Sequence, residues 1–116
     1  MDTLLDKDPA ILDVLERLRA RLGSDAFIIV DHWESDLCAV GIANPHNLGV
    51  LVYISSYGEP PERFGYELES PPPVGSESLY EVVGRGFGVS SDELAIIAAE
   101  HLNLSQASDR SPYSRR

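Results

Sequence analysis

Four residues able to bind a metal or move a proton fall at alternate positions in Asp31-His32-Trp33-Glu34-Ser35-Asp36-Leu37-Cys38: His32, Glu34, Asp36 and Cys38. Alternate residues of a strand share a face, so a continuous strand here would line up a metal or nucleophile site. Glu34-Ser35-Asp36 reads equally well as a three-residue hairpin loop. In that register Trp33 faces Leu37, His32 faces Cys38, Val30 faces Val40 and Ile28 faces Ile42. Ile28, Val30, Val40 and Ile42 then form a floor for packed helices. Phe27, Ile29 and Asp31 turn to the other side, opposite Ala43, Gly41 and Ala39. Glu34 and Asp36 belong to the loop, and the four-residue site dissolves. What remains is His32 beside Cys38. A thiolate–imidazolium pair is a nucleophile, but the sequence marks out neither an oxyanion stabiliser nor a residue to orient the histidine. A buried thiol beside a hydrogen-bonded histidine is the expectation, and a small enzyme using His32 and Cys38 the alternative.

Other patterns carry less. Gly84-Arg85-Gly86-Phe87-Gly88 precedes a helix, yet it lacks the Lys-Ser/Thr of a phosphate loop and spaces its glycines wrongly for a dinucleotide fingerprint. It reads as a flexible turn. His32, His46 and His101 are far apart and make no helical His-x-x-x-His spacing, so no metal and no cofactor is expected. Glu67 and Glu69 share one face of a strand, with Phe64, Tyr66 and Leu68 on the other. Paired carboxylates can do acid–base work, but a solvated strand face explains them without chemistry.

The 116 residues carry a net charge of −10. Between Leu22 and Asn103 only Arg63 and Arg85 are basic, against thirteen acids. Such a body repels phosphate backbones, so no nucleic-acid binding is expected, while its field speeds encounter with a basic partner. Cys38 is the single cysteine, which excludes an internal disulfide and fits a reducing compartment. The start is acidic and no apolar run reaches membrane-spanning length, so a cytoplasmic protein with no membrane association is expected.

The elements that must position these residues are legible. Asp8, Pro9 and Gly23 bracket a first helix with an apolar stripe of Ile11, Leu12, Leu15, Leu18 and Leu22. Strand-like runs follow at Ala26–Trp33, Leu37–Ala43, Gly49–Ser56 and Phe64–Glu69, with Leu79–Val83 either a fifth strand or a helical turn. Ser90 and Glu93 make a capping box for a last helix burying Leu94, Ile97, Ala98 and Leu102. The expected fold is α+β: a four- to five-stranded antiparallel sheet with the N-terminal and C-terminal helices on one face. Residues 1–104 form one domain and 105–116 a flexible polar tail.

A sheet covered on one face leaves the other for an interface. Phe27, Ile29, Trp33 and Tyr57 are its expected partner-binding residues, with Asp31, Glu34, Asp36, Glu59 and Glu62 as an acidic rim. The runs "DHWESDLCAVGIA", "GVLVYISSYGEPPERFGYELE" and "SSDELAIIAAEHL" resemble small acidic bacterial immunity-protein-like α+β domains. That resemblance implies a cytoplasmic inhibitor that neutralises a toxin domain by covering its surface. Two further readings stand beside it. One is a dimeric secretion-chaperone-like acidic binder, which a helix between Ser56 and Phe64 would favour and Pro60-Pro61 opposes. The other is the small enzyme above. The sheet face either meets a basic protein partner or pairs with itself in a homodimer.

Overall fold

The computed structural model describes residues 7–30 and 36–104. Its elements are α1 (Pro9–Leu22), β1 (Ile28–Val30), β2 (Ala39–Asn44), β3 (Asn47–Ser55), β4 (Phe64–Ser70), β5 (Glu81–Val89) and α2 (Ser91–His101). The strands form one antiparallel sheet in the order β1-β2-β3-β4-β5. Each strand therefore pairs with its neighbour in sequence, as short connections require. Both helices pack on one face, giving the expected α+β fold. No helix among the described residues is long and apolar enough to cross a membrane.

Helix α1 starts at Pro9, whose fixed φ suits the first helical position, and stops at Gly23, which has φ 110°. Its buried face is Ile11, Val14, Leu15 and Leu18, a one-turn-spaced stripe. Leu12, expected in that stripe, is instead 42% exposed and Val14 takes its place. Helix α2 opens with a complete capping box. The Glu93 amide donates to Ser90 Oγ at 3.1 Å, and the Ser90 amide donates to Glu93 Oε1 at 2.8 Å. These bonds hold the Glu93 carboxyl below its usual range. Leu94, Ala95 and Ala98 are buried in α2 and Leu102 just after it. At the far end Asn44 Nδ2 donates to the Leu102 carbonyl at 2.8 Å, tying the helix terminus to the sheet and satisfying an otherwise orphaned acceptor.

The core joins these helix residues to Phe27, Val40, Ile42, Val52, Ile54 and Phe64, with Ile29, Val50, Tyr66 and Leu68 packed against it. Register explains the set. Ile29 pairs with Ile42, Ile42 with Val52, and Val52 with Leu68, so one row of side chains crosses the sheet beneath the helices.

This row corrects the expected hairpin register. Ile29, not Ile28, lies opposite Ile42, and a one-residue slip exchanges the two faces of a strand. Phe27 and Ile29 therefore lie under the helices, and Ile28 and Val30 on the other side. The reason lies in the returning chain. Leu37 and Cys38 form a turn and β2 begins only at Ala39. Asp36 Oδ1 accepts the Cys38 amide at 3.0 Å, and the Asp36 carbonyl accepts Lys7 Nζ at 2.9 Å. The Asp8 amide donates to the Leu37 carbonyl at 3.0 Å. Fixed in this way from outside the hairpin, the connection is not the three-residue loop that a paired Leu37 requires. The choice also buries the larger Phe27, at 4% exposure.

The glycine-rich run is the second correction. Gly84-Arg85-Gly86-Phe87-Gly88 is no flexible turn; it is the body of β5, which also settles residues 81–83 as strand. Leu68 lies across Gly84 and the Tyr66 ring lies across Gly86, where a Cβ would stand 2.7 Å from ring atoms. Large residues on β4 thus require glycine opposite them on β5. Among the described strands β5 is one sheet edge and β1 the other. The pairing of β5 with β4 shifts register between Leu68 and Glu69 and between Phe64 and Tyr66. Such bulges twist an edge away from further strand addition. Residues 56–63 hold turns and no helix.

Candidate functional site

The sheet side away from the helices has two halves. Over β2 and β3 it is closed: Ala39, Ala43 and Leu51 are at most 3% exposed although they face away from α1 and α2. Ala43 sits between Ile28 and Leu51 in the ladder, and Gly41 between Val30 and Tyr53, so small side chains lie below larger neighbours. Glu69, on this same side opposite Leu51 and Val82, is also buried. The expectation that Glu67 and Glu69 share a face holds, but Glu69 is not solvated.

From Tyr53 towards β5 the surface opens. Tyr53, Ser55, Tyr57, Glu59, Glu67 and Phe87 line a groove of about 200 Å³ floored by Gly65. Cross-strand pairing places Tyr53 opposite Glu67, Ser55 opposite Gly65, and Glu67 opposite Arg85. The Phe87 ring lies over Gly65, 3.2 Å from where a Cβ would stand, because only a glycine lets the ring approach the backbone. Tyr57 is 82% and Phe87 75% exposed. Tyr57 projects from a turn that Gly58 completes at φ 73°, a conformation that favours glycine.

The charges around the groove are anchored. Glu59 Oε1 accepts the Gly88 amide at 3.1 Å, fixing the 56–63 loop against the end of β5, and Glu59 Oε2 lies over Gly65. Glu67 Oε2 is 3.6 Å from Arg85 Nη2. Burial pushes the Tyr53 hydroxyl up and a hydrogen bond with Ser55 opposes it, while nearby Asp36 and Glu67 raise it further. The local field is therefore negative.

Of the nine residues expected at a partner surface, the structure assembles two here, Tyr57 and Glu59. The register slip turns Phe27 and Ile29 to the helix side: Phe27 is buried in the core and Ile29, partly buried, packs against it. Asp36 is exposed and organises the turn before β2; that strand's first residue, Ala39, pairs with Ser55, so the Asp36 charge acts on Tyr53 from beside the groove without lining it. Glu62 is exposed with φ 65°, but it lies with Asp13, Arg17 and Ser90–Asp92 on the helix side, off the expected rim. Asp31, Trp33 and Glu34 lie outside the described residues. Phe87 is the residue that sequence reasoning missed, hidden because its run read as a turn. Alternation of glycine with larger residues across 84–88, beside the alternation of 64–68, was the available signal of paired strands.

Cys38 is half-buried and has a partner different from His32, which lies outside the described residues. Its Sγ–H donates to Asp8 Oδ2 at 3.1 Å. That hydrogen bond, then burial, then the Asp8 charge all push the thiol up, against a smaller lowering by Ser56. Activated cysteines sit beside cations; this one sits beside a carboxylate. At any given pH it therefore holds less thiolate than free cysteine does. Alkylation at mildly alkaline pH should be slower than for free cysteine, and Asp8→Asn should accelerate it. A native rate equal to that of free cysteine would contradict the assignment.

The two described histidines serve the fold separately. His46 is exposed in the β2–β3 turn, where its amide donates to Asn44 Oδ1 at 2.7 Å. His101 Nε2 donates to the Glu69 carbonyl at 2.8 Å, fastening α2 to β4. Among the described residues no three His, Cys, Asp or Glu side chains are grouped to hold a metal. No protein-family model, curated protein or solved structure matches this chain.

Proposed function

We propose that this chain is an acidic protein-binding module of the immunity type, a cytoplasmic inhibitor that occludes a basic toxin or effector domain. The observation that carries the reading is the exposed aromatic pair Tyr57 and Phe87 set between Glu59 and Glu67 on the helix-free side of the sheet. Exposed rings lose hydration cost only when something covers them, and Tyr is among the residues that dominate binding energy at interfaces. The net charge of −10 complements a basic surface and accelerates encounter with it.

The test uses the reading frames that flank the gene. Each is expressed with and without this chain, and growth is scored alongside gel filtration of the purified pair. Rescue of a toxic, basic product together with a stoichiometric complex supports the reading. Association should slow steeply as salt rises. Toxicity unaffected by this chain, with no complex from any neighbour, would count against it.

A further inference from the structure

We propose that the groove bounded by Tyr53, Tyr57 and Phe87 receives one arginine side chain from the partner protein, its guanidinium lying against the rings and donating to Glu59. This rests on the reading above and names what the surface grips. Size sets the first limit. At about 200 Å³ the groove is below the roughly 300–1,000 Å³ of small-molecule sites, and suits one side chain rather than a helix or a strand. Composition sets the second. A groove of rings alone would suit an apolar anchor, and carboxylates alone would hold diffuse counterions; rings with carboxylates select a cation. A guanidinium is planar, stacks on aromatic faces and donates in a fork to a carboxylate.

The polar groups are already arranged for this. Glu59 Oε1 is held by the Gly88 amide, so the carboxylate is fixed before anything arrives. Glu59 Oε2 lies over the Gly65 floor, on the groove side. Glu67, on the far wall, is engaged by Arg85, which shows that this sheet surface accommodates a guanidinium against a carboxylate. Arg85 leaves Glu59 as the anionic partner for the incoming group. The bulges in β5 oppose strand addition at the neighbouring edge, so contact through side chains is the mode this side supports.

The experiment titrates the ¹⁵N-labelled full chain with Nα-acetyl-arginine amide and, in parallel, with Nα-acetyl-citrulline amide, its uncharged near-isostere. Amide shifts confined to residues 53–59, 65–67 and 85–89, saturable with the arginine probe and absent with citrulline, are expected. Tyr57→Ala, Phe87→Ala and Glu59→Gln should each weaken the probe by about three- to tenfold. Tyr57 is 82% exposed, so its loss leaves the fold intact. Equal shifts with citrulline, shifts scattered over all surface acids, or no shift at these residues would each overturn the proposal. A basic partner bound with unchanged affinity by Tyr57→Ala and Phe87→Ala would remove the groove and leave the module reading standing. Probe binding here without any protein partner would do the reverse.

Discussion

Phe27→Ala is expected to destabilise the fold by ~3–5 kcal/mol, whereas Ile28→Ala, one position on, should cost under about 1 kcal/mol. Phe27 is 4% exposed and belongs to the core with Leu15, Leu18 and Ile42; Ile28 is 40% exposed on the opposite side. Removing the Phe27 ring deletes a large apolar surface and leaves a cavity between α1 and the sheet. Arg19 loses a partner too, since its guanidinium carbon stands 5.9 Å from the ring centroid. A domain of this size has about 5–15 kcal/mol in all, so the first variant approaches the unfolding threshold while the second barely moves it. Urea titration reads the difference as a shift in midpoint at unchanged slope. The reverse order, with Ile28→Ala severe and Phe27→Ala mild, would mean that β1 pairs one residue out of register. Phe27 would then return to the other face as a partner contact.

Gly86→Ala is the second large effect, expected at ~1–3 kcal/mol. Its backbone is not in the left-handed region, so the cost is steric alone. The new methyl would sit 2.7 Å from Tyr66 Cε2 and Oη. The ring is packed against the core and cannot swing aside without giving up that contact. Shortening the neighbour should relieve the clash, so the penalty for Gly86→Ala should fall when Tyr66 is already leucine. Strictly additive costs in the double variant would place the origin elsewhere. Gly58→Ala provides the contrast. Nothing lies within 4 Å of a Cβ there and φ is 73°, so its cost is backbone strain in a loop, about 1 kcal/mol.

Much of the fold was legible from local chemistry. Pro9 and the Ser90/Glu93 box mark helix starts because unpaired amides at a helix N-terminus must be absent or satisfied; the Asp8 side chain precedes α1 without capping it and takes the Cys38 thiol instead. The apolar spacing in 11–22 and 94–102 marks the buried stripes, and short polar breaks between β-branched runs mark an antiparallel meander. The excess of acid and the lone cysteine were equally plain. What sequence could not decide was anything that depended on a partner far along the chain. The hairpin register turned on Lys7 and Asp8 holding the carbonyls of Asp36 and Leu37, contacts spanning about thirty positions. Gly84 and Gly86 looked like a loop because the side chains that require them, Leu68 and Tyr66, lie on another strand. The aromatic–carboxylate groove was hidden for the same reason: Tyr57 and Glu59 were read from their turn, but Phe87 reaches them only across β4. Local propensity writes the elements; which faces meet is settled by packing between residues that no short window contains.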